Sequence, residues 1–252
     1  MRLDTLKILI TGLLGGVLGA FLVLYIVFTY FGDNLEAYLS SQFRIRDDGS
    51  IENQKLIPTP LPLLAPDFWE HISSEASFSS VAIQVFKDNR IIKSGSGIIL
   101  SSDGLVVIPA DLTSLGSTYQ VLYEDKIVKG AIVSFDVKRN LAIIKITNLE
   151  LNLNVSDLNT GLIYQNGQDV LITGKLYDIS KPAAIAQRGI ISYVSGGRII
   201  LDTLTNIALA GAKVLNSKGE LVGMLYIRSG KSYVVSSKDI DTFFREYLSK
   251  TQ

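Results

Sequence analysis

The sequence predicts an exported all-β domain that ends in one helix and is preceded by a membrane-spanning helix. From Ser80 onward, short runs rich in β-branched residues alternate with turn residues, a pattern typical of a sandwich or a barrel. Only residues 238–249 have the spacing of a helix with one apolar face, formed by Ile240, Phe243, Phe244 and Tyr247. Residues 8–31 contain no charged side chain.

The apolar segment 8–31 is long enough to cross a bilayer, since roughly 20 apolar residues suffice for a helix. The alternative is a cleaved signal peptide, but the apolar region of such peptides is usually about 7–15 residues and ends in small residues. Here the run ends in Thr29, Tyr30 and Phe31. We therefore expect an uncleaved single-pass anchor in the cell membrane.

The charges beside this anchor predict its orientation. Arg2 and Lys7 precede it, which favours a cytoplasmic tail of residues 1–7 and an extracytoplasmic remainder. The bias is modest, because Arg44 and Arg46 follow on the other side. Gly12 and Gly16 are spaced so that two such helices can approach closely, which is one route to a homo-oligomer; glycine is, however, common in membrane helices in any case.

Residues 32–75 are predicted to be an extracytoplasmic linker, and residues 76–252 the folded domain. The linker contains Pro58, Pro60, Pro62 and Pro66, which favour an extended chain. Phe68 and Trp69 follow in a segment compatible with a short helix, and we expect this aromatic pair to dock on its own domain.

Composition excludes several classes of function. The 24 basic and 24 acidic residues leave no net charge, so nothing favours binding to nucleic acid. The chain has no cysteine, which excludes disulfides, thiolate metal sites and a cysteine nucleophile. Its single histidine, His71, lies before the β-rich region and is expected to be an ordinary surface residue. We expect neither a metal site nor a cofactor.

Five segments, in the same order over about residues 80–248, resemble the HtrA/DegP branch of the trypsin-like serine proteases. They are 95–104 (GSGIILSSDG), 136–146 (DVKRNLAIIKI), 188–192 (RGIIS), 216–224 (NSKGELVGM) and 233–237 (YVVSS). The resemblance implies a trypsin-like fold of two six-stranded β-barrels with a C-terminal helix. It stops at that helix, so a PDZ domain is not expected.

The same alignment places other residues at all three positions of the catalytic triad. Asp111 matches the family's histidine, Asn140 its aspartate and Ala210 its serine. Acyl transfer by this route requires a hydroxyl that attacks, an imidazole that accepts its proton and a carboxylate that orients the imidazole. Ala210 has no nucleophilic atom, and a carboxylate is a much weaker base than imidazole. The resemblance therefore implies an inactive homologue.

A peptide-binding role needs no triad, because a peptide can add as a strand to a barrel edge through backbone hydrogen bonds. The resemblance places residues 187–192 beside the cleft of the family, so Gln187, Arg188, Gly189 and Ile190 are the candidate edge. Leu209 directly precedes the serine position and Gly211 directly follows it, and both are further candidate peptide-binding residues. Side chains at Ala208 and Leu209 hinder an oxyanion site, and Leu209 is a candidate to fill that hollow.

These observations predict a membrane-tethered pseudoprotease that binds peptides or proteins of the cell envelope, or associates with itself or an active relative. One alternative is an active hydrolase with rearranged residues. A serine–lysine pair using Lys213 is conceivable, although the resemblance places no serine near it. Another alternative is an anchor whose partner is an envelope polymer or lipid.

Overall fold

The computed structural model describes residues 67–147, 153–178 and 181–251, all within one compact unit, Leu64–Gln252. The predicted anchor at 8–31 and most of the predicted linker lie outside the described residues. Within the described part, no helix is both long and apolar enough to span a bilayer.

Twelve antiparallel strands form two closed barrels of six strands each among the described residues, which confirms the predicted double barrel. The first barrel contains β1 (Ser80–Lys87), β2 (Arg90–Ile99), β3 (Leu105–Pro109), β4 (Thr118–Tyr123), β5 (Lys126–Asp136) and β6 (Leu141–Ile146). The second contains β7 (Asp169–Asp178), β8 (Lys181–Ser195), β9 (Arg198–Asp202), β10 (Lys213–Leu215), β11 (Leu221–Arg228) and β12 (Lys231–Ser236). The strand order is β1-β2-β3-β6-β5-β4 in the first and β10-β11-β12-β9-β8-β7 in the second.

Each barrel encloses its own apolar core, and a third apolar cluster lies between the barrels and beneath two helices. Closure of each sheet leaves no long unpaired edge along most strands, which suits a chain that has no disulfide to stabilise it. Helix α1 (Phe68–Ser77) precedes the first barrel, and helix α2 (Ser237–Thr251) follows the second. Ile240 and Phe243 of α2 are buried in the shared cluster, and Phe244 and Tyr247 pack against it, so the predicted apolar face is confirmed.

Helix α1 covers residues that the sequence analysis placed in the linker. Its Ile72 is buried in the shared cluster, and Phe68 and Trp69 pack against the same cluster. The two rings meet edge-to-face, with their centroids 5.3 Å apart. The aromatic pair thus docks on its own domain, as expected, and the folded part of the chain already includes α1. His71 points away, with 72% of its side chain exposed.

Candidate functional site

Asp111 and Asn140 lie side by side at one end of the first barrel. Asp111 belongs to a short 3₁₀ turn, Ala110–Leu112, directly after β3, and Asn140 ends the turn before β6. Asn140 is 4% exposed and has a φ of 57°, a left-handed conformation that asparagine tolerates better than most residues. The carbonyl of Asn140 accepts a hydrogen bond from Ala110 N at 3.0 Å.

The Asn140 side chain fixes Asp111 from two directions. Its Oδ1 accepts from the Asp111 backbone N–H at 3.0 Å, and its Nδ2 donates to Asp111 Oδ2 at 3.0 Å. In an active protease the carboxylate at this position accepts a hydrogen bond from a ring N–H of the catalytic histidine and so orients the ring. Here the roles are exchanged, because an amide donates to a carboxylate. The Asn140 side chain thus positions the Asp111 carboxylate.

Two cations complete the surroundings of Asp111. Lys93 Nζ donates to the backbone carbonyl oxygens of Asp111 at 2.5 Å and of Thr113 at 2.9 Å. Arg228, at the end of β11 in the second barrel, places Nη2 3.6 Å from Asp111 Oδ2. Since Asp111 and Arg228 come from different barrels, this ion pair crosses the cleft between them.

Ala210 enters the cleft from the second barrel. It follows the 3₁₀ turn Ile207–Leu209, is 8% exposed and packs with the core of the first barrel. Its carbonyl oxygen accepts from Ser96 N of β2 at 2.8 Å. A Cβ built on Gly95 would lie 2.5 Å from Ala210 O and 2.8 Å from Leu112 Cδ1, so Ala210 lies close to the turn that carries Asp111. The structure thus brings the three predicted triad positions together.

The backbone amides that an oxyanion site requires are already used within the protein. Ala208 N–H donates to Asn206 Oδ1 at 3.1 Å, and Ala210 N–H donates to the Ile207 carbonyl at 3.1 Å. An oxyanion site requires free N–H groups aimed at the developing negative charge. In this conformation the turn before Ala210 therefore offers no such pair.

The remaining candidate residues of this turn are enclosed. Leu209 is 1% exposed and its side chain packs in the core of the second barrel, so it does not face a ligand. Gly211 has a φ of 87°, and a Cβ there would lie 1.9 Å from Ser96 O. Glycine is needed at this point because the two barrels approach each other through their backbones.

Strand β8 is less open than the sequence analysis expected. Residues 181–190 pair with β7, and residues 190–195 pair with β9, so Ile190–Ser192 is not a free edge. Gln187 donates to Thr203 Oγ1 and, at 2.8 Å, to Leu204 O, while Gly189 lies against Thr203. The barrel closes where β8 passes from β7 to β9 near Ile190, so residues 181–189 pair with β7 alone and residues 191–195 with β9 alone.

Gln187 and Arg188 nevertheless line a groove of about 510 Å³ between β8 and helix α1. The groove is bordered by Trp69 and Ser73 of α1 and by Ala184 and Ala186 of β8. The Arg188 guanidinium lies 5.1 Å from the centre of a Trp69 ring. Ala184 and Ala186 leave room on the β8 wall for the side chains of an extended peptide, while Gln187 and Arg188 border that space.

Lys213 contacts a serine that the sequence analysis did not identify as its partner. This residue of β10 is 2% exposed, and its Nζ donates to Ser79 Oγ and, at 3.1 Å, to the Ala76 carbonyl at the end of α1. Burial, together with the nearby charge of Lys175, lowers the pKa of Lys213 to about 7. A cation at a helix C-terminus is favourable, so this contact also caps α1.

The Ser79–Lys213 pair lies outside the cleft that contains Ala210. Ser79 O accepts from Ile99 N at 3.2 Å, whereas Ala210 O accepts from Ser96 N. Ser96 and Ile99 are three residues apart on β2, which corresponds to about 10 Å. A cavity of about 290 Å³ borders the pair and is lined also by Ser156, Asn159 and Glu220.

The double barrel, with its cleft at positions 111, 140 and 210, defines the trypsin-like class. The chain belongs to the family of trypsin-like peptidase domains, whose model matches residues 95–224, and its relatives place it in the HtrA branch.

Three of these relatives illustrate the similarity. The chain is similar to serine endoprotease DegS of Haemophilus influenzae, with 30% identity over 167 residues that cover 62% of this chain and 48% of the relative. It is similar to human serine protease HTRA4, with 27% identity over 172 residues, 62% of this chain and 35% of the relative. Putative serine protease HhoB of Synechocystis is 27% identical over 150 residues, 54% of this chain and 35% of the relative. The chain thus spans about half or less of the length of these relatives.

Sequence reasoning did not find Arg228, Lys93 or Ser79 as members of these sites. Each is a polar residue on or beside a strand, without a motif, and each acquires its partner only when distant strands meet. Nothing in the sequence indicates the contact of Arg228 with Asp111.

Proposed function

We propose that this chain is a membrane-anchored pseudoprotease whose extracytoplasmic domain binds peptides or proteins without cleaving them. The observation that carries the proposal is Ala210, which holds the position of the nucleophile and ends in a methyl group. Two further features support it: the amide-to-carboxylate contact between Asn140 and Asp111, and the hydrogen bond that uses the Ala210 N–H.

The groove between β8 and α1 is the proposed peptide site. No described strand pairs with β8 on its β9 side before Ile190, so part of that side stays without a strand partner. Alternate side chains of an added peptide strand would face the groove beside Ala184 and Ala186. The envelope location and the anchor follow from residues 8–31 and belong to the same proposal.

Trp69 provides the test, because it is the only tryptophan of the chain and borders the groove. Titrating the full chain with extended, unstructured peptides is expected to change its tryptophan emission in a saturable way. Ala186→Arg, which fills the groove, is expected to abolish the change, whereas Ala131→Arg on the exposed side of β5 is not. Release of peptide fragments, or an unaltered response in Ala186→Arg, would contradict the proposal.

A second candidate function is hydrolysis through Ser79 and Lys213, favoured by their direct contact. In such a reaction the Ser79 oxygen attacks an acyl carbon while neutral Lys213 accepts the hydroxyl proton. The bond from that carbon to the leaving alcohol or amine then breaks, and the leaving group takes the proton from Lys213. Water finally hydrolyses the acyl–Ser79 ester and restores the serine hydroxyl. Incubation of the full chain with p-nitrophenyl esters separates the two candidates. A turnover that is lost in Ser79→Ala would establish the second candidate, and equal background rates in both proteins would exclude it.

A further inference from the structure

Lys213 is a buried amine without an acidic partner. It is 2% exposed, and its Nζ donates to two neutral acceptors, Ser79 Oγ and the Ala76 carbonyl. None of the ion pairs among the described residues includes it. A buried lysine normally has a partner that compensates its charge, so the surroundings of this one favour the uncharged amine.

The uncharged state gives Lys213 a nucleophilic lone pair. A neutral amine has two N–H groups, and the hydrogen bonds to Ser79 and Ala76 account for both. Burial and the neighbouring charge of Lys175 lower the pKa of Lys213 to about 7. Desolvation and a second cation nearby both activate lysine amines toward carbonyl compounds. At pH 7 the fraction of uncharged amine is about a thousandfold larger here than at a lysine with the ordinary pKa of about 10.4.

A cavity of about 290 Å³ lies beside this amine, and Lys213 forms part of its wall. The volume is at the lower end of the range for small-molecule sites, so the cavity suits a compact ligand. The remaining wall combines apolar and polar side chains, among them Ile72, Leu215, Ser156 and Asn159.

The charges on the cavity wall favour an uncharged ligand. Carboxylates of Glu75, Asp157 and Glu220 line the cavity, and Lys218 is the one cation among the described residues there apart from the buried amine. Glu75 also contacts His71 at 3.3 Å, so two carboxylates remain opposite Lys218. An anionic ligand would therefore meet at least as many acidic groups as basic ones.

We propose that Lys213 binds small uncharged aldehydes in this cavity as a covalent imine. The Nζ lone pair attacks the carbonyl carbon, and the electron pair of the C=O bond moves to its oxygen. Both amine protons then leave with that oxygen as water, and a C=N bond remains. The hydroxyl of Ser79, which contacts Nζ, is placed to donate to the imine nitrogen. The inference goes beyond peptide binding, and it differs from ester hydrolysis because the new bond forms to Lys213 and not to Ser79.

Reductive trapping with benzaldehyde and cyanoborohydride tests the proposal. The hydride reduces the imine to a stable secondary amine, and the full chain at pH 7 is expected to gain one benzyl group. Peptide mass spectrometry of the wild type should locate this group at Lys213, with at least tenfold more label there than at any exposed lysine, because the uncharged fraction is so much larger. Glyoxylate, an anionic aldehyde, is expected to label Lys213 at least tenfold less than benzaldehyde does.

Lys213→Met is expected to lose the benzyl group. Lys231→Met is the matched control and should be labelled as the wild type is, because Lys231 is exposed and does not line the cavity. Thermal unfolding of each variant establishes that it is folded, and the mapping of the wild type needs no variant. Equal labelling of Lys213 and of the exposed Lys218, or unaltered labelling of Lys213→Met, would overturn the proposal. Equal labelling by glyoxylate would overturn it as well, since the site would then not select an uncharged aldehyde.

Discussion

At the scale of single residues, the side chains at positions 111 and 140 bond to each other, and the backbone at position 210 bonds within its own turn. Asn140 donates to Asp111, and Ala210 donates its N–H to Ile207. These contacts stabilise the turns on both sides of the cleft. Because the contact in the first barrel requires both Asp111 and Asn140, we expect that a single substitution at position 210 does not create protease activity.

Ala210→Ser is therefore expected to leave peptide hydrolysis at the level of the wild type. The new hydroxyl has no imidazole beside it, and the triad residues act as a unit rather than additively. Cleavage of a fluorogenic peptide by the full chain measures the outcome, with the wild type as its control. A rate at least tenfold above that of the wild type would show that this cleft retains a competent base and oxyanion site.

Lys213 is expected to make stability depend on pH. Its pKa is about 7 in the folded protein and about 10.4 in an unfolded chain. Between these values the unfolded chain holds a proton that the folded one has released. The free energy of unfolding should therefore rise with pH, by up to about 1.4 kcal/mol per unit, from about pH 7 to about pH 10.

Urea unfolding at pH 6, 8 and 10 measures this dependence. Lys213→Met, which removes the buried amine, should flatten the profile and be the more stable protein at pH 6, by about 1–3 kcal/mol. The same slope in Lys213→Met and in the wild type would assign the pH dependence to other groups.

At the scale of elements, the strands and helix α2 followed from local pattern, whereas the residues that join elements did not. Alternating apolar residues and turns such as Asp103-Gly104 predicted β2 and β3, and the family segments then predicted where positions 111, 140 and 210 lie. The segment around Phe68 and Trp69 was predicted to be compatible with a short helix but was placed in the linker, because its inclusion in the folded domain depends on Ile72 in the shared core and on Lys213 at its end. Such long-range contacts leave no periodic signal.

The segment that joins the 3₁₀ turn Ile207–Leu209 to β10 gives a prediction about Gly211. Gly211→Ala is expected to lower the free energy of unfolding by about 3 kcal/mol or more, because its Cβ would lie 1.9 Å from Ser96 O and its φ is 87°. Gly230→Ala is the matched control, since its φ is 72° but nothing lies within 4 Å of its Cβ. It should cost only about 1 kcal/mol. Equal losses in chemical denaturation would refute the close approach of the barrels at Gly211.

At the scale of the whole molecule, the barrels meet along an interface that carries positions 111, 140 and 210 as well as the buried Lys213. Ser96 donates its N–H to Ala210 and its hydroxyl to the Lys175 carbonyl at 2.9 Å, so one strand of the first barrel holds two segments of the second. The described part of the chain retains the two-barrel fold of the family. The groove between β8 and α1 lies outside positions 111, 140 and 210.

Labelling of the full chain with a fluorescent fluorophosphonate tests the central claim most directly, since stable reaction requires an activated serine. We expect no labelling at neutral pH under conditions in which an active trypsin-like protease reacts completely. Stoichiometric labelling that is lost on prior heat denaturation would contradict the account, and the modified residue, identified by peptide mass spectrometry, would name the nucleophile that replaces the serine missing at Ala210.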